Sequence, residues 1–139
     1  EKIANNRDVV FAGELWGSRL AEIVRGTGLF VLPSDVEGLP LAMLEAMREG
    51  VPVMGSNIPP HQQLLGSDRG VLFQAGELDS CIRCLGWALQ HPDALAVMAK
   101  KAQQYVQRNY SWDRITEETL GVYKSLSRVP SSLVPSKNN

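Results

Sequence analysis

The sequence predicts an α/β protein: an open, mostly parallel sheet with flanking helices. Three observations carry that reading. Short apolar runs rich in β-branched residues alternate with stretches whose apolar residues recur at helical spacing. The runs LFVLPS (29–34) and VPVMGS (51–56) are continuously apolar rather than alternating, which suits strands buried on both faces of a parallel sheet. From residue 79 onward the pattern is helical throughout. With 139 residues and 44% hydrophobic content, the chain can bury one compact core.

Taken in order, DVVFAG (8–13) is a β-branched and aromatic run closed by glycine and reads as a strand. Residues 18–26 place Leu20, Ile23 and Val24 on one helical face, with Gly26 ending it. LFVLPS is the next strand. Residues 40–48 read as a helix with Pro40 at its first position, where the missing N–H costs nothing, and Gly50 as its C-cap. VPVMGS follows as a strand whose Pro52 lies near its start. In SNIPPHQQLL, which follows a strand's carboxyl end, either Ser56, Asn57 and His61 meet a ligand or Asn57 and the two prolines merely shape a turn.

GVLF (70–73) is the last strand. Asp79 or Ser80 caps a helix reaching Gln90, Pro92 and Asp93 open another reaching Arg108, and Ser111 caps a third that carries Trp112, Ile115, Thr119, Val122, Tyr123 and Leu126. Trp87 and Trp112 lie on apolar helix faces and read as core; Trp16, in a loop, is either an anchor or a stacking surface. Residues 127–139 hold two prolines, four serines and little to bury, so they are expected to be disordered. The whole reads as one Rossmann-like domain over residues 1–126 followed by that tail.

A net charge of −1 gives no electrostatic reason to expect nucleic acid or an anionic membrane as partner. No apolar run approaches the roughly 20 residues of a spanning helix, and the N-terminus lacks a signal-peptide pattern. A cytoplasmic location is expected. Cys81 and Cys84 form a C-x-x-C, but inside a helical stretch and without a second ligand pair, so they read as helix residues rather than a redox or zinc site. No metal or cofactor is expected.

Chemistry concentrates in SDVEGLPLAMLEAM (34–47). In an open parallel sheet, ligands bind beyond the carboxyl ends of strands, where helix N-termini converge. A helix opening at Pro40 leaves the N–H groups of Leu39, Leu41 and Ala42 free, with Gly38 beside them, and such an end attracts phosphate. Glu45 then lies far enough along the helix to reach a ribose on one flank of a diphosphate, and Glu37 faces the other flank. The alternative is that Glu37 merely complements the helix dipole and Glu45 is a solvated surface residue.

The pattern PS..EG.P...LEAM..G.PV..S, with Glu37 and Glu45 separated by seven residues, resembles the nucleotide-sugar-binding half of the retaining GT-B glycosyltransferases of the family-4 type. The similarity runs from about Asp8 to Leu126, including YSWDRITEETLGVYKSL. It implies that Glu45 holds the donor ribose, that Glu37 lies by the transferred sugar at the reacting centre, and that Gly13, Glu14 and Leu15 sit close to the base. It further implies a nucleoside-diphosphate sugar as donor and a hydroxyl as acceptor. Family members have an N-terminal acceptor domain, and two earlier strands and an Arg and a Lys upstream; this chain has no such segments, so the domain is expected to be incomplete.

The strand at 8–13 would then lack its usual neighbour and pair differently, fray, or associate with another chain through the unpaired edge. An isolated chain of this kind is expected not to transfer sugar, and the full-length enzyme could be membrane-peripheral. Near Gln63 the family often has an acidic residue, and the departure puts acceptor contacts in doubt. Two rivals stay open: a non-catalytic Rossmann-like module for binding or assembly, and another nucleotide-sugar enzyme of the same fold such as an epimerase.

Overall fold

The structure is a computed structural model and describes residues 9–126. Three parallel strands, β1 (Phe30–Leu32), β2 (Val53–Ser56) and β3 (Val71–Phe73), form one sheet in the order β1-β2-β3. Phe30 pairs with Val53, and Met54 with Val71. All four residues of β2 are buried, as the apolar run VPVMGS requires of a central strand covered on both faces.

The helices are α1 (Gly17–Arg25), α2 (Leu41–Arg48), α3 (Pro59–Leu65), α4 (Leu78–Gln90), α5 (Pro92–Asn109) and α6 (Trp112–Leu126). Helix α2 buries Met43, Leu44, Ala46 and Met47, residues at the i, i+1, i+3, i+4 spacing of a single face. It lies among the strands and α5, whose Ala102 and Val106 join the same core with Val51, Val53, Leu64 and Leu65. The small side chains Ala46 and Ala102, both fully buried, let the two helices approach closely. Two glycines are needed for this arrangement. Gly50, at φ +76°, turns the chain out of α2 so that the Val51 N–H donates to the Ala46 carbonyl at 3.0 Å. At Gly55, a Cβ would stand 2.9 Å from Met43 Cε and 3.0 Å from His61 Nδ1, so only glycine lets β2 pass this close to both.

Several expectations change. Residues 9–13 of DVVFAG form no strand, and Val10 and Phe11 are 83% and 79% exposed. A strand exists through its ladder, and nothing among the described residues pairs with that run or with the outer edge of β1. SNIPPHQQLL is not a simple turn but contains α3, with Pro59 at its N-terminus. Parallel neighbours β2 and β3 need a crossover rather than a tight turn, and α3 supplies it.

Trp112 is 80% exposed rather than core, because α6 buries none of its residues. Trp87 is less covered than expected too, stacking on His91 with ring centroids 4.6 Å apart. Trp16, 76% exposed, is no anchor and immediately precedes α1. Helix α4 begins one residue before Asp79, with Glu77 at its N-cap, while the Ser80 hydroxyl accepts the Gln74 N–H at 2.9 Å. Ser111 does cap α6, accepting the Arg114 N–H at 3.3 Å. Cys81 and Cys84 are half-buried residues of α4, and Cys84 Sγ donates to the Leu72 carbonyl at 3.6 Å. The tail at 127–139 lies outside the described residues.

Candidate functional site

Helix α2 starts one residue later than the proline pattern predicts. Pro40, buried, occupies the N-cap at φ −76° and its carbonyl accepts the Leu44 N–H at 3.1 Å. No side chain caps this end. The first-turn N–H groups of Leu41, Ala42 and Met43 precede the first intrahelical donor, and helices leave such groups without internal partners. Leu39, Leu41 and Ala42 are exposed, so the opening is not covered by packed side chains. Gly38 is exposed as well, and a Cβ built there would meet nothing within 4 Å. Its φ is not in the left-handed region, so neither packing nor backbone conformation demands glycine; what its absence of side chain provides is open space beside the helix end.

The two glutamates lie in separate clefts. Glu37 is half-buried in a cleft of about 360 Å³ formed by Asp35, Val36, Ile58, Pro59 and Pro60. Its Oε1 accepts a hydrogen bond from the Ser34 hydroxyl at 2.7 Å. Glu45 is exposed and borders two other clefts. One, of about 220 Å³, runs between α1 and α2 past Gly17, Leu20, Ala21 and Val24. The other, of about 360 Å³, is apolar and lies among α2, α5 and α6, with Leu39, Leu41, Tyr110 and Trp112 in its wall. The Glu37 cleft shares no lining residue with the clefts that Glu45 borders.

Gly13 and Glu14 are exposed and Leu15 is half-buried, all in the irregular run before α1. None of the three lines the clefts above; Gly17, two residues past Leu15, does, opposite Glu45. Ser56 and His61 are fully buried and so do not face a ligand, while Asn57 is exposed and accepts a bond from Gln62 Nε2 at 2.6 Å.

Arg48 borders both Glu45 clefts and was missed in the sequence, although its position three residues after Glu45 on a helix is enough to place the two side by side. At the far end of the α1 cleft, Arg25 Nε donates to Glu49 Oε2 at 2.7 Å. That hydrogen bond is the main cause holding the Glu49 carboxyl below its ordinary range and raising Arg25, with their charge attraction adding to it. Among the described residues no group of three or more His, Cys, Asp or Glu side chains could hold a metal ion, and no helix is long and apolar enough to cross a membrane.

The sequence model of the family described as glycosyl transferases group 1 matches residues 1–105. The chain is 29% identical over 120 residues to a sulfoquinovosyl transferase of Arabidopsis thaliana, covering 84% of this chain and 23% of that protein. It is 30% identical over 107 residues to a D-inositol 3-phosphate glycosyltransferase of Gordonia bronchialis, covering 76% of this chain and 23% of the other. Among solved structures, a sucrose-phosphate synthase of Thermosynechococcus elongatus superposes with a TM-score of 0.78 at 24% identity, over 84% of this chain and 30% of that one. The Anabaena protein HepE, solved in complex with UDP, superposes with a TM-score of 0.73 at 18% identity, over 78% of this chain and 30% of that one. The structural likenesses establish the fold. This chain spans less than a third of the length of each of these relatives.

Proposed function

Because the chain belongs to the group 1 glycosyltransferases, with the fold of their carboxyl-terminal GT-B domain, we propose that it binds the donor of a retaining sugar transfer, a nucleoside-diphosphate sugar, at the start of α2. The diphosphate rests on the uncapped first turn, which carries a partial positive charge. Leu39, Leu41 and Ala42 offer backbone N–H groups there, and the empty space at Gly38 admits phosphate oxygens close to the backbone. Glu45 accepts from the ribose hydroxyls, Glu37 faces the transferred sugar, and Gly13, Glu14 and Leu15 lie toward the base.

The observation that carries this reading is the exposed, uncapped end of α2, with Glu37 in the loop just before it and Glu45 within the helix, each bordering a cleft. A related structure solved with UDP-glucose, at a TM-score of 0.70, supports the class of ligand. In such a transfer the bond from the anomeric carbon to the diphosphate breaks as positive charge grows on the sugar. Oriented N–H groups at the departing phosphate stabilise the negative charge without reorganising, and the Glu37 carboxylate suits the positive side. The hydroxyl acceptor is held by an N-terminal domain of the same enzyme, as the resemblance implies, so the chain by itself binds donor and does not turn it over. No metal is required for the diphosphate in this scheme.

Calorimetric titration of the purified chain with UDP and UDP-glucose, alongside the other nucleoside diphosphates, tests the reading. Saturable binding of one of them that Glu45→Ala weakens supports it, and robust transfer by the chain alone refutes the inactivity. Absence of saturable binding, with none of the nucleotides affected by Glu45→Ala, favours a non-catalytic assembly module instead. That second reading draws on the exposed Val10, Phe11 and Trp112 and on the edge of β1 that has no partner among the described residues, and it predicts concentration-dependent self-association in sedimentation. Product analysis on the full-length enzyme separates transfer from an epimerase reaction.

A further inference from the structure

We infer that Ser34 is a positioning residue for Glu37, holding its carboxylate in one orientation and itself indexed to the buried core through Ser56 and His61; this rests on the donor-binding reading above. The chain of contacts is directional. His61, fully buried on α3, lies with Nδ1 2.9 Å from the Ser56 carbonyl and 3.2 Å from the Ser56 hydroxyl oxygen. The Ser56 hydroxyl donates its single proton to the Ser34 carbonyl, so toward His61 that oxygen can only accept. His61 Nδ1 is therefore the donor to both Ser56 atoms, and its buried Nε2 has no hydrogen-bond partner among the described residues.

From the other side of the same residue, the Ser34 hydroxyl donates to Glu37 Oε1 at 2.7 Å. Ser34 is thus held through its carbonyl by β2 and holds Glu37 through its hydroxyl. The loop after β1 would otherwise be free to place a glutamate in many orientations, since residues 33–40 form no regular structure. Fixing both ends of Ser34 ties the orientation of Glu37 to the most buried part of the sheet. A site that acts by orientation gains from a carboxylate set before the ligand arrives.

Two measurements on the whole chain test this, with Ser34→Ala and Ser34→Thr as the variants. The first is the χ1 distribution of Glu37 from side-chain NMR couplings: one rotamer in the wild type, averaging in Ser34→Ala, and a single rotamer again in Ser34→Thr, which keeps the hydroxyl. The second is titration with UDP and with UDP-glucose. Ser34→Ala is expected to weaken UDP-glucose by about fivefold, the size of one lost hydrogen bond, while UDP binding stays unchanged. A merely structural role for Ser34 would weaken both ligands alike.

Unchanged Glu37 rotamers in Ser34→Ala, or equal losses for both ligands, overturn the inference while leaving donor binding intact. If the wild type binds neither nucleotide, the donor reading fails, and the rotamer measurement alone decides whether Ser34 orients Glu37.

Discussion

Glu37 and Glu45 differ in how the protein treats them. Glu37 is half-buried, bonded to Ser34, and connected through Ser34 and Ser56 to His61 in the core. Glu45 stands exposed on α2, and its side chain makes no hydrogen bond or ion pair among the described residues. One carboxylate is oriented before any ligand arrives; the other is free to turn and must be ordered by whatever it meets. The contrast teaches where rigidity is invested. In the proposed donor site, orientation matters most at the reacting carbon, and a flexible acceptor is sufficient for a pair of ribose hydroxyls.

Breaking the platform under both should have the largest effect. Met43 is fully buried, with its Cε close to Gly55 on β2. Met43→Ala is expected to cost about 2–5 kcal/mol in chemical unfolding, as large-to-small core changes do. A loss well under 1 kcal/mol would mean that α2 is not seated on the sheet as described.

Next in size is Glu45→Ala, which sharpens the contrast because stability and binding should separate. Its melting temperature should match the wild type, as for other exposed positions, while nucleotide affinity falls about tenfold for the lost charged acceptor. Loss of stability together with binding would show that Glu45 is not free.

Ser56→Ala should follow. It removes the bond to the Ser34 carbonyl, leaves His61 Nδ1 its bond to the Ser56 carbonyl, and is expected to cost about 1 kcal/mol in the same unfolding experiment. A variant as stable as the wild type with unchanged Glu37 rotamers would detach that glutamate from the core.

The smallest effect belongs to the Arg25 and Glu49 pair, which ties α1 to the end of α2 beside Glu45. Glu49 is held below the usual carboxylate range chiefly by its hydrogen bond from Arg25. A carboxylate lowered in the folded state contributes stability above its ordinary unfolded value, and that contribution disappears as pH falls through the lowered folded value. Arg25→Gln should therefore melt slightly below the wild type at neutral pH, with the gap closing in acid. A gap of equal size at both ends of the titration would rule the pair out as its source.

Much of this arrangement was legible in the chain. The continuous apolar runs announced β1 and β2, and the Gly-Leu-Pro step located the start of α2 to within one residue. The Ser34 to Glu37 bond was not legible, because it joins two side chains in an irregular loop whose conformation no local period sets. Helix α3 was missed because two prolines signal a turn locally, whereas the parallel pairing of β2 with β3 that requires a crossover is not a local property.

The sequence by itself determined which segments form elements, which faces are apolar, and that two glutamates bracket a helix start, because period and spacing are properties of neighbouring residues. Only tertiary structure decided that Ser56 reaches Ser34 across 22 positions, that His61 lies buried beside it, and that VVFAG finds no strand partner among the described residues while Trp112 stands exposed. The reason is physical: a strand needs a partner's ladder and an apolar face needs an opposing surface, and neither condition can be met by residues adjacent in the chain.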